Sequence, residues 1–368
     1  MDGPPVIDLD YVLPLRCEDD TDLAELTGYL RWLSRHVRVL VVDGSSRGRF
    51  SRNARLWGDM VHHLPPHDDL VTANGKVAGV ITGVRESRAE HVVIADDDVR
   101  YDAIGLTRIW NLLQTADLVR PQNFFSPLPW HARWDTARAL INRAFGGDYP
   151  GTFGVRRSFF LTMGGYDGDV LFENLELIRT VRAHAGREQR ALGLYVRRVP
   201  PRTERFWSQR VRQAYDDLAQ PLRMAAFLAV LPGLAVLVRR HNYGMVGLCA
   251  GISMGVAELG RRRAAGRGVF PASCLLYAPA WVLERAVCSW LALAVRLGRG
   301  GIRYSGNRIR VSAHSSRQLR RCQPGISGSL AARKPVALCE PSQNGFVAER
   351  PHRHKATVAL PGSMGRPF

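Results

Sequence analysis

The stretch HVVIADDDVRYD, residues 91–102, sets Asp96, Asp97 and Asp98 side by side directly after an apolar run. Carboxylates packed this tightly repel one another, so the row calls for a counter-charge. Two carboxylates separated by one residue at a strand end can turn toward one ligand. Hard oxygen donors of this kind suit Mg2+ or Mn2+, ions that usually bridge to substrate phosphates and would remove the repulsion. A solvated acidic turn is the plainer reading of an isolated Asp-x-Asp. A second acidic strand end lies upstream, where VRVLVVDGSS, residues 37–46, reaches Asp43. Two such ends on one edge of a sheet make a site rather than a scatter.

The elements that must position these aspartates follow from hydrophobic periodicity. Residues 5–16, PVIDLDYVLPLR, read as a strand. Residues 21–35 have a helical pattern, with Thr21 as N-cap and Glu25 in the first turn. The continuous apolar run from 37 ends in a turn, the profile of a buried parallel strand. A helix covers about 75–88, and HVVIADDD is the next strand. Strand, helix, strand, helix, strand predicts a doubly wound α/β sheet, in which ligands bind beyond the carboxyl ends of the strands. Farther on, DLVRPQNFF reads as a strand entering a loop. GGYDGDVLFENLELIRTVRAH reads as a glycine-rich loop feeding a helix that starts near Phe172.

The 368 residues carry a formal charge of +18, a balance that invites an anionic partner. Lysine occurs only at Lys76, Lys334 and Lys355, so the excess is arginine in an Ala- and Gly-rich chain. Residues 299–368 hold 13 Lys+Arg against 2 Asp+Glu, which places the basic character away from the aspartates. No zinc spacing, RNP-like element or helix-turn-helix pattern supports nucleic-acid binding. The six cysteines show no CxxC pair, which fits a reduced, cytosol-facing chain. MDGPPVIDLD has neither a basic n-region nor a long apolar core, and so is not read as a secretory signal.

After Pro221 the composition changes. Residues 224–238 are uncharged and apolar, Arg239, Arg240 and His241 interrupt, and 243–259 are apolar again. Each run is short for a span of about 20 residues, though flanking arginines can snorkel. A pair of buried core helices is the competing reading. Residues 279–299 put Arg285, Ser289, Ala292, Arg296 and Arg299 on one stripe and Trp281, Val282, Ala286, Trp290, Leu293 and Leu297 over the rest. That pattern predicts an amphipathic helix lying in a membrane interface. The expected organisation is a catalytic part at 1–220, a membrane-associated helical region at 221–313 and a disordered basic tail at 314–368.

The order VLPLR, VVDGSS, NGKVAGVITG, IADDDV, GGYDGDVLFENLEL and SQRVRQAY resembles inverting family-2 glycosyltransferases of the GT-A fold, over about residues 5–220. The resemblance implies a GT-A-like mixed sheet, a nucleotide-sugar donor such as a UDP- or GDP-sugar, and Mg2+ or Mn2+. It implies that Asp43 contacts the base or ribose, that Lys76 sits near the nucleotide, and that Asp98 ligates the metal. Asp96 lies nearer the ribose and phosphates, with Asp97 between them. Where the family has Glu-Asp at a helix start, this chain has Glu173-Asn174. Asparagine cannot act as a base, which shifts that role to Glu173 or to another carboxylate, Asp148, Asp167 or Glu176. SQRVRQAY matches the family's QxxRW element at Gln209 and Arg212 but has Gln213 in place of Trp; Gln209, Arg210, Arg212 and Asp148 are the implied acceptor or diphosphate contacts. Residues 279–315 are similar to membrane-bound members that glycosylate lipids. The implied location is the cell membrane with the catalytic part cytoplasmic, and the implied acceptor a lipid or envelope glycan.

Two other classes compete. A sugar nucleotidyltransferase also pairs aspartates on a metal, but it needs a glycine-rich first loop, and PLRCEDD has none. A non-catalytic membrane-associated nucleotide-sugar binder would take Asn174 as the mark of a lost base.

Overall fold

The computed structural model describes residues 7–17, 23–304 and 306–321. Its centre is one eight-stranded mixed sheet. The strands are β1 (Asp10–Leu15), β2 (Arg38–Asp43), β3 (His62–Leu64), β4 (His91–Ala95), β5 (Val99–Arg100), β6 (Leu118–Phe125), β7 (Thr152–Arg156) and β8 (Glu188–Arg198). Their order is β3-β2-β1-β4-β7-β6-β8-β5. β1 pairs in parallel with β2 on one side and β4 on the other, and β7 enters antiparallel between β4 and β6. The chain therefore leaves β1 in one direction and later returns to its opposite edge, which opens a crevice at the carboxyl ends of β1 and β4. The doubly wound mixed α/β sheet followed by apolar helices is the expected architecture. The sequence reading did not include the arginine-rich helix at Arg47–Trp57 or the three-residue β3.

Helices α1 (Ala24–Leu33), α2 (Arg47–Trp57), α3 (Gly75–Glu86), α4 (Ala103–Leu113), α5 (Trp130–Ala144), α6 (Arg157–Thr162) and α7 (Glu173–Ala183) flank the sheet. α1 starts at Ala24 with Leu23 at its N-cap position; Thr21, the expected cap, lies outside the described residues. β1 is buried along its whole length. On one sheet face its Tyr11 and Leu13 join Leu30, Val41 and Trp57, and on the other its Val12 joins Leu40, Val80 and Val84. α3 lies close on β1 because Gly83 has no side chain: a Cβ there would stand 2.2 Å from Val12 Cγ1. That close approach sets the height at which α3 presents its first turn to the sheet edge.

Beyond β8 the described residues are helical apart from one hairpin and the connecting loops. α8 (Thr203–Ser208) and α9 (Arg210–Tyr215) lead through a 3-10 turn at Asp216–Ala219 to α10 (Pro221–Arg239), α11 (Tyr243–Arg262) and α12 (Ala278–Arg299). β9 (Ile302–Tyr304) and β10 (Asn307–Ile309) form an antiparallel pair, and α13 (Ser316–Arg321) follows. α11 docks on α5 at Gly260, where an added Cβ would meet Leu140 O at 1.8 Å. The fully buried Arg143 of α5 donates to the carbonyls of Gly260 and Arg263.

Beyond these contacts the apolar helices are bare. Within α10 only Met224 is buried, and within α11 only Ala257 and Gly260. Leu222, Tyr243, Leu248 and Ile252 are exposed. Exposed apolar surface on this scale fits a nonaqueous partner. Segments Pro221–Arg239, Tyr243–Gly268 and Ala272–Arg299 are each long and apolar enough to cross a membrane.

α12 departs from the sequence reading. Of the expected stripe, Arg285, Ser289 and Ala292 are buried together with Trp281 and Ala286, Arg296 is half-buried and Arg299 exposed, while Leu283, Val287, Trp290 and Leu291 are exposed. The reason is electrostatic: Arg285 faces Asp217, and the neighbouring Glu284 faces Arg210, so the polar stripe turns inward onto the α/β part. The C-terminal expectation also changes in part. Residues 314–321, assigned to the tail, hold His314 against α7 and form α13. Residues 322–368 lie outside the described residues.

Candidate active site

Three chain ends converge where β4 stops. Asp96 follows β4 and is fixed by its own N–H, which donates to Gly151 O at 2.8 Å. Lys76 is in the first turn of α3, whose N-cap Asn74 accepts from Lys76 N. Glu173 is the first residue of α7. The Lys76 ammonium bridges them, with Nζ 2.6 Å from Asp96 Oδ1 and 2.9 Å from Glu173 Oε1. All three side chains are 16–20 % exposed, so the cluster lines an opening rather than a dry core.

Arg198 completes the group from the far end of the sheet. β8 ends on it, and the β5–β8 pairing sets Val99 opposite Arg198. Arg198 Nε donates to both Asp98 oxygens at 2.9 Å, and Nη2 lies 3.4 Å from Asp96 Oδ2. Nothing in the sequence singled out this arginine among many. The only available signal was its place at the end of a long strand.

The charges shape one another. Partial burial pushes the Asp98 carboxyl up to about 6, with Asp96 and Asp97 adding to the effect and Arg198 opposing it. Burial works against ionisation of Asp96 too, but Lys76 and Arg198 outweigh it and hold its carboxyl below the usual range. Burial disfavours the Lys76 ammonium, yet Asp96 and Glu173 hold its pKa well above the ordinary value. Asp98 is therefore a carboxylate that burial makes costly to ionise even beside its arginine. A hard divalent cation fits such a donor set. Asp98 and Asp96 are the residues that would hold it.

Other expected site residues lie elsewhere or are already engaged. Asp43 sits at the end of β2 as expected, but its side chain is fully buried. It accepts from Ser45 N at 2.9 Å and Asn53 Nδ2 at 2.8 Å, and His63 Nε2 lies 3.1 Å away. Burial raises this carboxyl, and the bonds from His63, Ser45 and Asn53 overcome it and hold it at about 2. In this arrangement Asp43 shapes its loop and offers no free oxygen to a nucleotide. Asp97 is half-buried between its neighbours, and its carbonyl accepts from Arg100.

Arg210 corrects the diphosphate-contact expectation. It is 4 % exposed, donates to both Asp135 oxygens and lies 3.6 Å from Glu284. Asp148 is likewise spent on Arg138 and Asn142. Of the alternative bases, Glu176 is fully buried and accepts from His314 N and Nδ1. Asp167 accepts from Asp169 N and faces the same histidine at 3.7 Å. These three donors lie within 4.8 Å of one another and form a lock between α7 and the C-terminal strap. Gln209 caps α9 half-buried.

Asn174, where the resemblance leads one to expect a base, has a bonding role of its own. Asn174 Nδ2 donates to Pro150 O at 3.1 Å, tying the start of α7 to the loop behind Asp96. An ionised aspartate has no proton to give there.

Arg212 stays near the opening. Its guanidinium lies 5.0 Å from the Tyr304 ring centroid, and among the described residues it makes no ion pair. Tyr304 and Asp216 escaped sequence reasoning, because only folding brings residues near 210 and 304 to position 173. Burial and then Glu173 raise the Tyr304 phenol. Burial pushes the Asp216 carboxyl up to about 8, with Arg212 opposing and Glu173 adding. The segment after β10 closes this side. Leu171 N and Phe172 N donate to Val311 O and Ser312 O, and Asn307 Nδ2 donates to Ala73 O beside the Lys76 turn.

No protein-family model matches the sequence, and no curated protein matches it. Among solved structures, similarity is found to the mannosyltransferase PcManGT from Pyrobaculum calidifontis in complex with GDP-Man and Mn2+. The TM-score is 0.43 at 17% identity, over 77% of this chain and 87% of that one. Glucosyl-3-phosphoglycerate synthase of M. tuberculosis gives 0.37 at 14% identity, over 54% and 74%. A mycobacterial protein gives 0.34 at 15%, over 52% and 64%. Every one of these scores is below 0.5, too low to carry a statement about this chain.

Proposed function

We propose that this chain is a membrane-associated glycosyltransferase of the GT-A kind, moving a sugar from a nucleotide-diphosphate donor to a hydroxyl acceptor with inversion. The observation that carries the reading is the convergence of Asp96, Asp98, Lys76 and Glu173 at the carboxyl end of β4, beside helices whose apolar faces are exposed. A single charged pair has many uses. Two aspartates one residue apart at a topological switch point, with a carboxylate opposite, suit diphosphate departure on one side and hydroxyl attack on the other.

Asp98 and Asp96 would hold Mg2+ or Mn2+, which supplies Lewis-acid stabilisation of a leaving nucleoside diphosphate. The remaining work belongs to the chain. Glu173 is the proposed base: Lys76 occupies Oε1, leaving Oε2 to take the acceptor proton as the hydroxyl oxygen bonds to the anomeric carbon. Lys76 holds that carboxylate in place through the bond to Oε1. Arg212, stacked on Tyr304, is placed to meet anionic oxygens. The Asp43 loop borders the nucleotide end of the crevice. Exposed apolar faces of α10 and α11 fit a bilayer, and so a lipid-linked acceptor. The proposed organisation is a catalytic part to about 220 followed by membrane-associated helices, with the catalytic part at the cytoplasmic face.

Membranes containing the protein, given a panel of labelled UDP- and GDP-sugars, test this. The reading requires label in extractable lipid or glycan together with release of nucleoside diphosphate. Pyrophosphate release would point instead to a nucleotidyltransferase, and binding without turnover to a non-catalytic binder.

A further inference from the structure

Arg198 is a strange neighbour for a metal site. Its Nε bridges both oxygens of Asp98, and its Nη2 reaches toward Asp96 Oδ2. Lys76 takes Asp96 Oδ1. Thus the two aspartates proposed to hold a dication already face two cations of their own chain. Lys76 is also tied to Glu173, but no other carboxylate anchors Arg198 among the described residues. The guanidinium is a quarter exposed. Its other side borders a cavity lined by Asn123, Phe125, Arg138, Asp148 and Tyr149. That cavity has room for little more than a water and holds a second cation in Arg138, so the guanidinium's way out is its solvent-exposed side.

We propose that Arg198 is an internal counter-cation of Asp98 that a divalent ion displaces, and that the displaced guanidinium then binds the diphosphate of the nucleotide. This deepens the glycosyltransferase reading and rests on it. The physics is competitive. Nε and a metal ion need the same two oxygens, and a dication and a guanidinium in contact repel. Once Asp98 turns to the ion, Arg198 loses its partner beside a newly bound polyanion. A guanidinium fork suits phosphate oxygens. Metal and nucleotide would then bind cooperatively, because each relieves the charge the other leaves exposed.

Mn2+ binding to the full-length protein in detergent, followed by the electron paramagnetic resonance of free Mn2+ with and without UDP or GDP, tests this without turnover. Arg198→Gln is expected to tighten Mn2+ binding in the absence of nucleotide by roughly tenfold, the scale of one close charge pair. It is also expected to weaken nucleotide binding in saturating Mn2+ by a similar factor. Arg198→Lys, which keeps a cation on a shorter reach, should fall between Gln and wild type and guards against a simple folding defect. Asp98→Asn should lose Mn2+ binding. If Asp98→Asn loses the ion while Arg198→Gln binds it no more tightly than wild type, the displacement is wrong and the metal site stands. If wild type binds no Mn2+ at all, the metal part of the functional reading fails and the displacement with it.

Discussion

Two regions of this protein are built from the same residue types and behave as opposites. At the end of β4, Asp96 and Asp98 face Lys76 and Arg198 with side chains 19–27 % exposed. Beneath α12, Asp135, Glu284 and Asp217 face Arg210, Arg285 and Arg223, mostly 10 % exposed or less. In the second region every one of these charges but Arg223 is caged among helices α5, α9, α10 and α12. A caged pair contributes little net stability, because desolvation offsets the attraction, yet removing one partner is costly. In the first region the partners come from separate strand and helix ends and still touch solvent, so they can change partners. The lesson is that arginine beside aspartate does not mark a site. What distinguishes the site is access: its carboxylates and cations touch solvent and can change partners.

The comparison can be broken at either end. Glu173→Gln removes the proposed base but keeps its shape, and transfer should fall by about 10^2- to 10^4-fold with little change in thermal midpoint. Retained activity would hand the base role to another group, with Asp216 the next to examine. Arg210→Ala should do the reverse. It strands Asp135 and Glu284 and should cost about 3–5 kcal/mol of stability by denaturant unfolding, while the folded fraction keeps its turnover. A large loss of turnover at full stability would restore Arg210 to the acceptor site.

The smallest expected effect concerns the strap. The bond to Glu176, and then the charge of that residue and Asp167, raise the His314 pKa above its ordinary value, against the effect of burial. A histidine raised on folding contributes stability that is complete below its unfolded pKa of about 6.5 and is lost as pH rises through the folded value. Amide exchange at Leu171 and Phe172, corrected for intrinsic rates, should therefore show weaker protection at pH 8 than at pH 6. His314→Gln should flatten that dependence.

Much of the sheet and half of the site could be read in the chain. VRVLVVD and HVVIA are apolar runs that stop at charge, and burial on both faces of a parallel sheet requires such runs. Lys76 stood out because lysine is rare here, and Glu173 because it stands where the resembled family has Glu-Asp at a helix start. Arg198 could not stand out, since its meaning comes from the pairing of β5 with β8, a hundred residues apart. The same holds for Tyr304 and Asp216. On α12 the N-terminal part of the stripe, Arg285, Ser289 and Ala292, turns inward beside Trp281 and Ala286, while Arg299 stays exposed. Periodicity tells which residues share a face, and only the charges at Asp217 and Arg210 tell which way that face turns. Asn174 looked like a missing base in the sequence and is a hydrogen-bond donor to Pro150 in the fold.

The central claim is that Asp98, at the end of a buried strand, serves the transfer of sugar from a nucleotide. The direct measurement is label transfer from the accepted nucleotide sugar into lipid or glycan by membranes bearing wild-type or Asp98→Asn protein at equal folded amounts. The account predicts a loss of about 10^3-fold or more, the size of several kcal/mol of lost charge stabilisation. Undiminished transfer by Asp98→Asn would contradict it.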